Sequence, residues 1–362
     1  MKTEGSSKPV GANIAQLRSW LDAMLEQRAL STEDARELLV GLADAELPPA
    51  LAGALLAAIR AKGVTPEELR GFAMGMRALA RQPLIERGLA AVDIVGTGGD
   101  KSSSYNISTG AALLTAAAGL PVIKHGNRSV SSKAGSADVL QALGLTLPLD
   151  ETQAAACLAA TNFTFLFAPH YHPAMKVIGP VRAAMGVRTV FNILGPLSNP
   201  AEPPFHVIGA FNEATARLMA QALSGLPLQR AFVVHGACGW DEPTPLGSFL
   251  LLDVRNGSVQ ESRRDPADYG MSLCTEDALL GADPAYNAAA LTRVLRGEEQ
   301  GAHRDALVLS AALALEVSGR ATGPAQGVQQ AAAAIDDGRA SALLAKLAAF
   351  SRKAANAGGN GP

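Results

Sequence analysis

The chain has 362 residues, 48% of them apolar and 4% aromatic, and a formal net charge of −2 at pH 7. That length holds one large domain and a small one, and a near-neutral charge without long runs of either sign excludes a duplex-binding groove as the main function. Cys157, Cys238 and Cys274 are widely spaced with no CxxC pair, which argues against a disulfide framework or zinc site and leaves small buried hydrophobes in a reducing compartment as the expectation.

Residues 1–10 read as a loose tail, polar and without the apolar segment of a secretory signal. From Ile14 to about Ala80 the pattern is helical throughout. Leu17, Leu21 and Leu25 recur at helical spacing, Ser31 with Asp34 resembles a capping box, and Leu38, Leu39 and Leu42 carry an apolar face. Pro48-Pro49 breaks the chain before the stripe Leu51, Leu55, Leu56, Ile59. Thr65-Pro66-Glu67-Glu68 is a full start signal, with an N-cap, proline at the first helical position and glutamate at the third. A small helical domain over residues 11–85 follows. So short a bundle has little core of its own, so part of its apolar surface is expected to face a second subunit.

After Pro83 short β-rich runs alternate with alanine-rich helices: Val92–Val95, Val122–Lys124, Phe163–Phe167, His206–Ile208, Ala231–His235 and Phe249–Val254. The alternation predicts an α/β domain with a largely parallel central sheet flanked by helices. No uninterrupted run of about eighteen apolar residues occurs, so no membrane span is expected and a cytoplasmic location is.

The densest chemistry lies between Asp93 and Asp138. The run Val92-Asp93-Ile94-Val95 leads straight into Gly96-Thr97-Gly98-Gly99-Asp100, then Asn106-Ile107-Ser108-Thr109 and an alanine-rich helix. A strand, a glycine loop and a helix start together offer outward N–H groups and a favourable dipole to an anion. Pro121-Val122-Ile123 then delivers Lys124-His125-Gly126-Asn127-Arg128, the hydroxyls Ser129, Ser131 and Ser132, and Lys133. Gly135-Ser136 starts another helix, with Ser136 as the N-cap and Asp138 in its first turn. Neither the Gly-Lys-Ser/Thr of a P-loop nor the G-x-G-x-x-G dinucleotide fingerprint is present. Such a density of cations and hydroxyls suits a ligand with several phosphate oxygens and sugar hydroxyls.

Further on, His170 and His172 stand in a proline-broken loop with no third ligand close in sequence, so a metal role is set aside there. Strand Ala231–His235 runs into Gly236, and Gly239-Trp240-Asp241-Glu242 follows. Adjacent carboxylates at a strand end give a hard divalent ion oxygen ligands with room for phosphate and water. Asp283-Pro284 opens a capped helix, and residues 353–362 read as a tail by composition.

The motifs GTGGD, NIST and KHGNRSVSSKAGSADVL together resemble the anthranilate phosphoribosyltransferases, which belong to the nucleoside-phosphorylase-like transferases. The segments around Thr164–Met175, Gly179–Arg182, Arg188–Pro200 and Gly239–Glu242 match that family as well. The resemblance implies a hinge segment near 182–203 that returns through the helical domain, a large domain of residues 86–181 and 204–352, and a homodimer formed through the helical domain. It implies transfer of phosphoribosyl from phosphoribosyl diphosphate to the amine of anthranilate, with Mg²⁺, two ions being expected. Phosphoribosyl diphosphate would be held by Gly96, Thr97, Gly98, Gly99, Asp100, Asn106, Ser108, Thr109, Lys124 and Ser136. Anthranilate would be held by Gly96, His125, Asn127, His172 and Arg182, the last by its planar fork on the carboxylate. Metal would sit on Ser108, Asp241 and Glu242. No general base is needed, because an aromatic amine is already neutral with its lone pair available. A pyrimidine nucleoside phosphorylase, or a transferase for another aromatic amine, stays open; Lys101, Trp240 and Tyr286 depart from the family pattern. Trp240 and Pro243 are expected at the rim.

Overall fold

A computed structural model describes residues 12–100, 102–129 and 133–358, with side chains as far as Lys353. The tail expected at residues 1–10, Lys101, Ser131 and Ser132 lie outside the described residues. The chain divides into two units, one ending at Gln82 and including Pro169–Pro200, the other formed by Pro83–Ala168 and the chain from Ala201 onward.

In the smaller unit Ile14–Leu25, Thr32–Leu42, Pro49–Lys62 and Pro66–Ala78 are helices. Their starts follow from side-chain chemistry. The Ser31 hydroxyl accepts the Asp34 amide at 3.1 Å, and Thr65 and Glu68 form a complete capping box with Pro66 in the first turn. Glu68 is also buried, and it accepts the Leu30 amide at 2.8 Å and the Lys62 ammonium at 2.7 Å. A buried carboxylate survives only with such partners. The returning segment begins at Pro169, earlier than the family pattern implied. Helix Met175–Met185 packs on Pro49–Lys62, and Arg77 Nε donates to the Leu197 carbonyl at 2.9 Å. Residues 169–181, His172 among them, therefore belong to the smaller unit.

The larger unit is built on a seven-stranded sheet: β1 (Val92–Gly96), β2 (Val122–Gly126), β3 (Phe163–Phe167), β4 (Phe205–Gly209), β5 (Arg230–His235), β6 (Phe249–Arg255) and β7 (Ser258–Arg264). The order is β3-β2-β1-β4-β5-β6-β7. The first five strands are parallel, and β6 and β7 are antiparallel. Parallel strands lie between helices and are buried on both faces, which is why they read as short apolar runs. Strand β7 is polar and was not expected as an element of its own. Its signal is Asn256-Gly257, both at positive φ (52° and 74°), joining Arg255 to its register partner Ser258. That dipeptide makes the two-residue hairpin turn whose twist suits the strands.

Helix Ala302–Val317, buried all round from Ala306 onward, packs on helix Ile107–Ala117 and on β4 and β5. Helix Arg339–Gly358 runs past Arg352 into the segment read as a tail, because its alanine-rich sequence favours helix; residues 359–362 lie outside the described residues. Strand order reverses at β1. The chain moves outward through β2 and β3, then returns to β4 on the opposite side. In open α/β sheets the crevice beyond the carboxyl ends at such a reversal receives ligands. Here that place is marked by Gly96 and its register partner Gly209.

Candidate active site

The loop after β1 turns back over the sheet ends. The Thr97 amide donates to the Gly209 carbonyl at 3.0 Å, and the Thr97 hydroxyl accepts the Phe211 amide at 3.2 Å. After β5, the Gly236 amide donates to the Trp240 carbonyl at 2.9 Å, so the chain doubles back and lays Asp241-Glu242 across the ends of β1 and β4. The approach is close. A Cβ on Gly209 would lie 1.5 Å from the Asp241 carbonyl oxygen, and one on Gly96 2.4 Å from Asp241 Oδ2. Only glycine leaves that space.

Both acids of the pair are buried. Asp241 Oδ2 accepts the Gly98 amide at 2.6 Å, and the Asp241 amide donates to Asp100 Oδ2 at 3.2 Å. Glu242 accepts the Ser108 amide at 2.8 Å on one oxygen and the Ser104 hydroxyl at 3.2 Å on the other. The carboxylate thus sits at the N-terminus of helix Ile107–Ala117 and in the dipole that favours an anion there. Burial, with repulsion from Asp100 and Glu242, raises Asp241 well above the carboxylate range. Burial also raises Glu242, and the Ser108 amide only partly offsets it.

Lys124 is the buried cation of this end of the sheet. Its ammonium donates to the Ile94 carbonyl and lies 3.4 Å from Ser108 Oγ. Burial lowers its pKa, while Asp93, Glu242 and Asp241 hold it up. Strands β1 and β2 share the register pair Val92 with Val122, whereas β1 and β4 pair along their whole length. Beyond Val92 side chains replace the ladder between β1 and β2: the His125 amide donates to Asp93 Oδ1 at 3.2 Å, and Lys124 reaches Ile94.

The second loop is tied to the first. Thr109 Oγ1 donates to Ser136 Oγ at 3.0 Å, and Asn106 Nδ2 donates to the Ala134 carbonyl at 3.1 Å. Gly135, not Ser136, is the N-cap of helix Ser136–Ala142. The Asp138 carboxylate accepts the Gly135 amide at 3.0 Å, the reciprocal bond of a capping box, while the Ser136 hydroxyl accepts from Thr109 in place of capping the helix. Asp138 also takes the Arg128 guanidinium at 2.5 Å, and Asn127 is exposed with its side-chain oxygen on the Arg128 amide at 2.7 Å.

Gly96 to Asp100, Asn106, Ser108, Thr109, Lys124, His125, Asn127, Ser136, Asp241 and Glu242 all belong to the larger unit, and His172 and Arg182 to the smaller. His172 is buried, and burial lowers its pKa to about 4. The half-buried Arg182 lies over the Phe191 ring, 5.0 Å from its centre. Trp240 is buried at 2% exposure and packs inward instead of shaping a rim, and the following Pro243 is buried as well. Of the cysteines only Cys157 is buried; Cys238 is exposed in the sharp turn before the acid pair, and Cys274 is half-buried. Sequence reasoning missed Asp93, wholly buried between Lys124 and the His125 amide, and Asn287, buried against Asn106. A charge inside an apolar strand was the available signal for Asp93; nothing in the sequence marked Asn287.

The geometry is that of a phosphate-handling transferase, and the comparisons agree. Residues 18–80 match the glycosyl transferase family, helical bundle domain, and residues 88–341 the glycosyl transferase family, a/b domain. An anthranilate phosphoribosyltransferase of Azorhizobium caulinodans is 43% identical over 335 residues, covering 92% of this chain and 96% of that protein. One of Desulforudis audaxviator is 44% identical over 337 residues, covering 93% and 97%. The crystal structure of anthranilate phosphoribosyltransferase from Thermus thermophilus superposes with a TM-score of 0.86 at 40% identity, covering 92% of this chain and 99% of that one. The yeast enzyme in complex with PRPP and Mg shares the fold, with a TM-score of 0.86 at 24% identity. The chain belongs to this glycosyl transferase family and, within it, to the anthranilate phosphoribosyltransferases.

Proposed function

We infer that the chain transfers the phosphoribosyl group of 5-phosphoribosyl 1-diphosphate to the amine of anthranilate, giving N-(5-phosphoribosyl)anthranilate and diphosphate, a step of tryptophan biosynthesis. The observation that carries this reading is the convergence of the Gly96–Asp100 loop, the Ser108 helix start and the Asp241-Glu242 pair at the point where the sheet reverses.

As the C1–oxygen bond to diphosphate breaks, positive charge builds on the sugar and negative charge on the leaving group. Fixed donors aimed at that group lower the barrier. Gly96 to Asp100, with Asn106, Ser108, Thr109, Lys124 and Ser136, are proposed to hold phosphoribosyl diphosphate. The donor set fits a hard divalent cation: the acids are adjacent, buried and held above their usual range by burial and repulsion, so a cation would relieve them. Among the described residues no three His, Cys, Asp or Glu side chains cluster to hold an ion. Ser108 is proposed beside one Mg²⁺ and Asp241 with Glu242 at a second, oxygens of the ligand completing both shells. Two Mg²⁺ ions are proposed, and when bound they supply charge neutralisation on the departing diphosphate.

For anthranilate, Gly96, His125, Asn127, His172 and Arg182 are proposed contacts, with Arg182 on the carboxylate. Its stacking on Phe191 supports a preset guanidinium plane. His172 is neutral at pH 7, which supports a role in shape over one in proton transfer. A homodimer through the helical unit is proposed from the exposed Ile14 and Leu25 on its first helix. A cytoplasmic location is proposed with it; no helix of the described residues is long and apolar enough to cross a membrane.

Loss of anthranilate fluorescence that requires both Mg²⁺ and phosphoribosyl diphosphate is the expected assay result. Phosphate-dependent cleavage of a pyrimidine nucleoside, with anthranilate left intact, would overturn the reading. Arg182→Ala is expected to raise the KM for anthranilate and leave that for phosphoribosyl diphosphate unchanged.

A further inference from the structure

We propose that Asn287 is a positioning residue: through Asn106 it clamps the helix-start loop to Ala134, just ahead of helix Ser136–Ala142, and so fixes the spacing of Ser108 and Ser136, both proposed to receive phosphoribosyl diphosphate. Asn287 lies in the first turn of helix Pro284–Leu295 and is 1% exposed. Its Oδ1 accepts the Ala282 amide at 2.8 Å, and its Nδ2 donates to Asn106 Oδ1 at 2.7 Å. Asn106 Nδ2 then donates to the Ala134 carbonyl at 3.1 Å. The relay begins at a backbone N–H and ends at a backbone C=O, so both carboxamides can face only one way.

The segment before Asn287 is docked on the same loop. The Gly281 amide donates to the Ser103 carbonyl at 2.7 Å, and Leu280 forms an antiparallel bridge with Ser104. From the clamped loop Ser104 and Ser108 reach Glu242, and Thr109 reaches Ser136. Asn106 is held at φ 67°, a left-handed conformation that costs energy unless its surroundings fix it. Its side chain makes no capping bond to its own helix and bonds Ala134 and Asn287 instead. The hydrogen bonds of the Asn287 side chain go to these loops and not to Asp241 or Glu242, so it acts through other residues.

The test is Asn287→Asp, which keeps the shape and removes the donor. The Ala282 amide and the helix dipole remain to hold the new carboxylate, so the variant should fold. Whichever way Asn106 turns, one acceptor then faces another. The KM for phosphoribosyl diphosphate is expected to rise about tenfold, with the KM for anthranilate changed less than about twofold, and Asn287→Ala is expected to behave alike. A folded variant with both KM values unchanged, or with both raised equally, overturns the proposal. Should neither variant fold, hydrogen exchange of the native protein decides. On adding Mg²⁺ and phosphoribosyl diphosphate, amides of residues 103–108, 133–136 and 280–287 are expected to slow together, and slowing of the first two segments without the third overturns it. The proposal rests on the phosphoribosyl diphosphate reading of the site. That reading falls if the native protein is inactive, whereas an active native protein with an indifferent Asn287→Asp variant defeats the clamp alone.

Discussion

Gly98 gives its amide hydrogen to the carboxylate of Asp241 at 2.6 Å. Ser108 treats Glu242 the same way at 2.8 Å. The acids thus rest on amides proposed to serve diphosphate, and they must turn away when ligand and cation arrive together. Asp241→Asn is expected to lower the Mg²⁺-dependent rate roughly a hundredfold, the scale of a lost charge-stabilising group. In EDTA the same variant is expected to bind phosphoribosyl diphosphate within about twofold of the native protein, because burial and repulsion already hold Asp241 toward its neutral form. Calorimetry with and without Mg²⁺ reads the binding effect and initial rates the other, and a roughly tenfold change of binding in EDTA would count against the account.

Gly209 has no room for a methyl group, since the Asp241 carbonyl oxygen lies 1.5 Å from the position of an added Cβ. Gly209→Ala must push the acid pair off the sheet end. A stability loss of about 3 kcal/mol is expected, with activity falling further than stability does. Gly179→Ala is the control, because open space surrounds its added methyl. Urea melts and initial rates on both variants separate a local clash from a general intolerance of substitution.

Lys124 and Asp93 hold opposite charges inside the sheet where the β1–β2 ladder gives way. Lys124→Met should cost about 3 kcal/mol, because buried acids lose their counter-charge. The double variant Asp93→Asn with Lys124→Met is expected to cost less than the sum of the single changes, by about 1 kcal/mol or more. Simple additivity in the four urea midpoints would show that the two residues do not communicate.

His172 carries a pH dependence of known sign. Its folded pKa is lowered by burial to about 4, from 6.5. Between those values the unfolded chain binds a proton that the folded chain refuses, so stability falls as pH drops from 6.5 toward 4. The full difference is about 3 kcal/mol. His172→Gln is expected to flatten that part of the stability profile relative to the native protein. Parallel slopes for the two proteins between pH 7 and 4.5 would show that the imidazole is not the titrating group.

Much of this architecture was legible in the residues. Caps at Ser31 and Thr65 marked helix starts, and apolar runs marked five parallel strands. What escaped is of another kind. Strand β7 has no apolar face of its own and exists because the Asn256-Gly257 turn folds it onto β6. Ser136 looked like a cap because hydroxyls often are, but the helix starts at Ser136 itself and its hydroxyl faces Thr109, far away in the chain. Asn287 and Asn106 stand far apart in the chain, and only folding reveals that one holds the other. Glycines show where space is needed, but not which atom fills it; at Gly209 that atom is a carbonyl oxygen of Asp241.

The polar strand that closes the sheet has a use beyond the active site. Any sheet rim with free backbone groups invites strand addition from another molecule. Strand β7 ends the array with Glu261, Arg263 and Arg264, which are engaged in turn by Arg217, Glu213 and Glu316. An added strand would have to lay its own side chains beside those charges, a composition that disfavours pairing of one copy's edge with another's.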